Sequence, residues 1–553
     1  MAAKNDKNWK VIAERKRSFR DNSIPEEWII PPELLPAKET KDVHRFPYDS
    51  GLFSTQELVI TDSSASEVAI KIAKGEWSAF EVTRALCKRA AIAQQLVNCL
   101  TEILFDSAMA RAKELDEYYK REGKVIGPLH GVPISLKDQF NIKGVDSTIG
   151  YVSYIGKPAR SDSTLVSQLI NAGAIPYVKT NVPATLMMGE SVNNIFGRTS
   201  HPYNRELTSG GSSGGESALL CFRGSLLGVG TDIGGSIRHP SSFTGLYALR
   251  PSQGRVSYMN VANTYVGQEA VRSSAGPMCH SVADIRLFMK TIIDQKPWLV
   301  DPEILPLPWR EDEEKLPDKL CFGFAMGDGT VTPSPPLRRA MEITKEKLER
   351  AGHNIIEFIP HEHMEAVKLI HKMWSADAGE EFQRDTNASG EPLHPQLESW
   401  LGKTANVRKQ TVSETWQTQH ARTMLAQRWL DRWEKTKEIS GTGRPIDGLI
   451  MPSTPFPAIQ HDGGYPHHWG VLSPLLDLST GVFPVTKVDL EKDVIPSSWK
   501  PISNLDQKLM EYYGRPQNHE NALIGLTIIA RRLEEEKVVA MLDIMSKVVG
   551  LDY

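Results

Sequence analysis

Six short runs constrain the fold of this 553-residue chain more than any other feature. Residues 132–136, 174–178, 226–229, 449–451, 482–488 and 523–529 are almost continuously apolar. A strand with one wet face alternates apolar and polar side chains, whereas a strand covered on both faces need not. These runs therefore read as buried strands. Helical patterns at 163–172, 336–351 and 534–549 supply the cover, and Ala351-Gly352 stops one of them ahead of a short strand at 355–358. The expected fold class is α/β, a large mixed central β-sheet covered by helices on both faces.

The flanks read differently. Residues 1–60 are charged and punctuated by Pro25, Pro31, Pro32, Pro36 and Pro47, which predicts a helix near 9–20 followed by an extended strap. Ser78-Ala79-Phe80-Glu81 has the form of a capping box opening a helix whose apolar face carries Val82, Leu86 and Ala90. A second helix is expected at 107–119. The expected division is a strap at 1–60 and a catalytic body at 61–553, with the proline-rich stretch 296–335 as a surface excursion.

Composition excludes several function classes. Basic and acidic residues number 64 and 68, a net charge of −4, which offers no basic surface for nucleic acid. No apolar run approaches the ~18 residues of a membrane span. Five scattered cysteines, without a C-x-x-C pair, fit neither a disulfide framework nor a zinc site. The lysine-rich start lacks the apolar stretch of a secretion signal, so a cytoplasmic location is expected. His361, His363 and His371, and the trio His461, His467 and His468, lack metal-ligand spacing and read as loop histidines. No metal or cofactor is expected.

Three segments carry chemistry. Gly230-Thr231-Asp232-Ile233-Gly234-Gly235-Ser236-Ile237-Arg238 and Ser209-Gly210-Gly211-Ser212-Ser213-Gly214-Gly215-Glu216 are glycine-rich turns holding serines. Gly131-Val132-Pro133-Ile134-Ser135-Leu136-Lys137-Asp138 is a strand ending in a lysine. Such loops bring backbone close to a ligand and leave N–H groups free, and serines with one lysine as base are what Ser-Lys acyl transfer needs. Residues 211–215 also fit the G-x-S-x-G elbow with Ser213 as nucleophile, but the loop-like Pro202-Tyr203-Asn204-Arg205-Glu206 stands where that elbow needs a strand. Phosphate binding is poorly supported, since no G-x-x-x-x-G-K-[ST] exists and Ile233 stands where a dinucleotide fingerprint wants glycine. Asp138 should face away from Lys137 by strand alternation, and Arg238 reads as the structural partner of Asp232. An ordinary lysine is neutral in about one molecule in 2,500 at pH 7, a deficit of roughly 4.6 kcal/mol that burial would reduce.

Together these segments resemble the amidase signature family, in particular its fungal acetamidase type, from about residue 60 onward. Further matches are Asn171-Ala172-Gly173-Ala174-Ile175, Lys179-Thr180-Asn181-Val182-Pro183, Asn194-Ile195-Phe196-Gly197-Arg198-Thr199 and Arg250-Pro251-Ser252-Gln253-Gly254-Arg255. The resemblance implies a serine hydrolase of carboxylic amides releasing carboxylate and ammonia or amine. It implies Ser236 as acyl-enzyme nucleophile, Ser212 as bridge after a cis bond to Gly211, and Lys137 as base. It further implies an oxyanion hole from the N–H groups of Ile233, Gly234, Gly235 and Ser236, an accessory role for Ser213, and an acyl pocket at Leu186, Met187 and Met188. Ala184, Leu523, Thr527 and Ala530 depart from the family pattern and put substrate preference in doubt. The alternatives are the same triad acting on carbamates, anilides or esters, a glutamine-amidase subunit, or a silent scaffold. A small-molecule amide is the expected partner, and a homodimer through the N-terminal helices fits.

Overall fold

The computed structural model describes residues 8–360, 362–401, 407–463 and 469–550. Its centre is an eleven-stranded mixed sheet. The strands of this sheet, numbered along the chain, are β1 (Leu100–Ile103), β2 (Pro133–Lys137), β3 (Ile175–Thr180), β4 (Leu227–Asp232), β5 (Tyr247–Arg250) and β6 (Ser274–Cys279), followed by β7 (Cys321–Phe324), β8 (Asn354–Glu357), β9 (Gly448–Met451), β10 (Thr480–Lys487) and β11 (Leu523–Ile529). They lie in the order β1-β3-β2-β4-β6-β5-β10-β11-β9-β7-β8. β2 runs parallel between β3 and β4, and β7 parallel between β8 and β9. The remaining pairings are antiparallel.

Every residue of β2, β4, β6 and β11 is buried, which requires cover on both faces and accounts for the apolar runs at β2, β4 and β11. The expected strands are all present. Four others, β1, β5, β6 and β7, were not legible, because three are only four residues long and mixed with polar residues or glycine, and β6 is interrupted by glycine and proline. β6 carries Gly276 and Pro277 in the middle of the sheet, where proline normally argues against a central strand.

β7 corrects the reading of 296–335 as a surface excursion. Cys321–Phe324 is a fully buried strand, while Leu299 and Val300 earlier in that stretch are exposed. The capping box at Ser78 is half formed. Ser78 accepts the Glu81 N–H, but the N–H groups of Ala79 and Phe80 go to the Asp116 carboxylate on the neighbouring helix Phe105–Glu122. At the start of the chain, the helix Trp9–Asn22 is pinned to the body by buried Arg20, which donates to the Leu100 carbonyl at 2.8 Å and the Asn98 side chain at 3.0 Å.

Candidate active site

β2 and β4 run side by side in one direction, so their carboxyl ends open at the same edge of the sheet, the edge where α/β folds hold ligands. Lys137 is the last residue of β2 and is fully buried. Its Nζ lies 2.8 Å from Ser212 Oγ and 2.7 Å from Thr231 Oγ1. Ser212 arrives from the loop before the helix Gly214–Cys221, joined to Gly211 by a cis peptide bond. Gly211 is needed there because a Cβ would meet the Met188 carbonyl at 2.6 Å. Ser236 stands in the turn that leaves β4 and shares a narrow cavity with Ser212, Thr231 and Gln139.

The turn is wound around one carboxylate. Asp232 accepts the N–H groups of Gly235 at 2.8 Å and Ile237 at 3.1 Å, and Arg238 binds it through Nε and Nη2, both at 2.9 Å. Burial alone would raise this carboxyl, but Arg238, then Arg250 and the Gly235 N–H, hold it well below its ordinary value. The pairing expected of Arg238 is therefore present, and it organises the turn that carries Ser236. It also corrects the oxyanion assignment at one position: the Gly235 N–H is committed to Asp232, so it is not free to donate outward. Among the described residues no partner is recorded for the N–H groups of Ile233, Gly234 and Ser236. Gly235 itself has φ +122°, and a Cβ there would lie 2.1 Å from the His239 ring, so no other residue fits.

Burial brings Lys137 down to about 7, against the opposing pull of Asp232 and Glu216. Glu216 is fully buried beneath the site and accepts from Thr180 at 2.6 Å and from Ser135. Its carboxyl is pushed up to about 7 by burial, opposed by those two hydroxyls and by Lys137. Asp138 faces away, as alternation requires. It accepts from Thr101, Thr148 and the Ile149 N–H, and lies 3.6 Å from Lys179.

Leu186 and Met187 line the cavity with the two serines, whereas Met188 does not line it and contributes its carbonyl beneath Gly211. The Ser213 hydroxyl lies 3.4 Å from both the N and the O of Thr231, and its N–H donates to the Ser236 carbonyl at 3.2 Å. Ser213 thus braces the two loops against each other and has no base beside it, which removes the G-x-S-x-G elbow reading. Asn204–Thr208 before it is a strand, but in a separate two-stranded ribbon. His461 is bonded to Glu190 and to the Arg205 carbonyl, and His363 and His371 sit on the helix His363–Trp374; His361, His467 and His468 lie outside the described residues. Thr231 and Gln139 were missed as site residues, although Thr231 lies within the quoted Gly230–Arg238 motif and Gln139 directly follows the quoted Gly131–Asp138 one. Asn263, Thr264 and Ser273, which close the cavity, sit in a segment with no sequence signal.

A buried amine touching the Ser212 and Thr231 hydroxyls, a further serine hydroxyl in the same cavity, and backbone N–H groups of the adjoining turn left out of its internal bonding form the equipment of acyl transfer. A family model described as Amidase matches residues 81–539. The chain belongs to the amidase family. It is an amide-hydrolysing enzyme. Acetamidases of Emericella nidulans and Aspergillus oryzae are 42% and 40% identical to this amidase, each over 98% of its length and at least 98% of their own. The protein kk1C of Curvularia clavata, which carries a provisional amidase designation, is 61% identical over 99% of both chains. Among solved structures, a fatty acid amide hydrolase superposes with a TM-score of 0.91 at 34% identity, covering 99% of this amidase and 98% of that chain.

Proposed function

We propose that this amidase works through an acyl-enzyme on Ser236. Neutral Lys137 takes the Ser212 proton as Ser212 takes that of Ser236, and Ser236 Oγ bonds to the amide carbonyl carbon. The N–H groups of Ile233, Gly234 and Ser236 receive the oxyanion. The proton returns through Ser212 to the departing nitrogen, the C–N bond breaks, and ammonia or an amine leaves. Water then cleaves the acyl-enzyme by the same relay, releasing carboxylate and restoring Ser236. The observation that carries this reading is the 2.8 Å contact between a fully buried Lys137 Nζ and Ser212 Oγ.

The acyl side reads as small. Leu186, Met187 and Ile233 crowd the cavity that holds both serines, and the relatives above include acetamidases. A roomier cavity of about 250 Å³ adjoins it through Asn263, Thr264 and Ser273 and suits the nitrogen side of the substrate. The experiment combines fluorophosphonate labelling with turnover of short aliphatic amides bearing increasingly large N-substituents. Stoichiometric labelling lost in Ser236→Ala, with turnover falling as the acyl chain lengthens, is expected. Wild-type turnover by Ser236→Ala would remove the nucleophile assignment. Absence of labelling in the wild-type chain would favour a silent scaffold, and faster turnover of esters or carbamates would move the substrate class.

Three further readings go with this one. Residues 1–60 act as a strap on a catalytic body at 61–553, supported by the Arg20 anchor. A homodimer forms through that strap, which presents exposed Phe19, Ile29 and Leu35. Five cysteines without disulfides fit the cytosol, which cell fractionation checks.

A further inference from the structure

Gln139 follows the lysine strand by two residues, and its side chain is buried and fully engaged. The Nε2 group donates to Tyr258 Oη at 2.9 Å and to the Ala262 carbonyl at 3.0 Å, with Asn263 Oδ1 at 3.3 Å. A backbone carbonyl can only accept, so the nitrogen must lie on that side and the amide oxygen on the other. That oxygen, Oε1, lies 2.5 Å from Thr231 Oγ1. An amide oxygen has no proton to give, so the single Thr231 hydroxyl proton points at Gln139. Thr231 can then only accept from Lys137 Nζ, 2.7 Å away.

The consequence reaches the base. A neutral amine has two N–H bonds and one lone pair. With one N–H spent on Thr231, the lone pair cannot be directed there, and Ser212 at 2.8 Å is the other hydroxyl within reach among the described residues. We propose that Gln139 is a positioning residue: through Thr231 it orients the Lys137 amine so that its lone pair is offered to the Ser212 proton. No bond to substrate is involved, and the inference rests on Lys137 being the base of the Ser236–Ser212 relay proposed above. The same amide is tied to Ala262 and Asn263 in the segment that walls the site, so the base is held in register with that wall.

The charged groups around Lys137 are Glu216 and Asp232, with Arg238 and Arg250 behind Asp232, and none touches Gln139; the one titratable group recorded against both Gln139 and Thr231 among the described residues is Tyr258, whose phenol burial pushes up and keeps neutral. The test measures the pH profile of kcat/KM on a small amide and the rate of fluorophosphonate labelling in Gln139→Met, Thr231→Val and Thr231→Ser. Gln139→Met and Thr231→Val are expected to lower the plateau about 10- to 100-fold through kcat, KM changing little, and Thr231→Ser to recover most of that loss. Gln139→Met also leaves the Thr231 proton free to turn toward the Lys137 lone pair, which favours the neutral amine, so its acidic limb should move down by about half a pH unit. Wild-type profiles and labelling rates in Gln139→Met and Thr231→Val overturn the proposal. So does a fall in Gln139→Met with the acidic limb unmoved and no recovery of the Thr231→Val loss in Thr231→Ser, which would assign Gln139 a structural part only. Retained activity in Ser236→Ala would instead strike the nucleophile assignment, so the two failures are distinguishable.

Discussion

At the scale of single residues the problem this site must solve is the protonation of Lys137. The ordinary lysine deficit at neutral pH is roughly 4.6 kcal/mol, and burial removes most of it by bringing Lys137 to about 7. The sign of the pH dependence follows. The base is active when neutral, so kcat/KM should rise with pH up to about 7 and level off above it, and Lys137→Met should abolish that limb with a loss of 10²- to 10⁴-fold. A profile flat from pH 5 to 9 would show that this amine is not the base. Lys137, Ser212, Ser236 and the direction of Asp138 were legible before any fold was known, because motif identity and strand alternation are local properties. Gln139 and Thr231 were not. Each is an unremarkable polar residue until the chain brings one beside the other, since the Thr231–Gln139 contact joins residues 92 positions apart.

At the scale of the element, the turn between β4 and the helix Arg238–Thr244 is one cooperative unit wound on Asp232. The carboxylate has no water to fall back on, and the Arg238 guanidinium is equally buried. Removing one member leaves the other charge uncompensated, which costs about 3–5 kcal/mol for a buried pair. Asp232→Asn should therefore lower the guanidinium midpoint by that equivalent and slow fluorophosphonate labelling, because one of the two oxygens that hold the Gly235 and Ile237 N–H groups becomes an NH2 donor. Unchanged stability would mean that the turn holds its shape without the pair. This element also shows where motif reading overreached. Four successive N–H groups look equivalent in a glycine turn, and only the bond from Gly235 to Asp232 separates the inward donor from the outward ones.

At the scale of the whole molecule, a sheet of eleven strands sets helices on both faces and leaves one edge of carboxyl ends where β2 and β4 deliver the lysine and the nucleophile turn. The strap raises the remaining question of assembly. Phe19 is 64% exposed on the otherwise anchored helix Trp9–Asn22. Sedimentation velocity should find a dimer in the wild-type chain and a monomer in Phe19→Glu, and a wild-type monomer at micromolar concentration would remove the homodimer. The sequence by itself determined the class of the fold and the family, and pointed to the three side chains of the proposed relay, because burial on both faces writes apolar runs and the serine loops are contiguous. Only the tertiary structure decided that β7 is inside, that Gly235 faces inward, that Met188 lies outside the cavity, and that Gln139 and Thr231 meet at the lysine. Those outcomes depend on contacts between distant segments, where hydrogen-bond geometry and packing choose among residues that look alike in the chain.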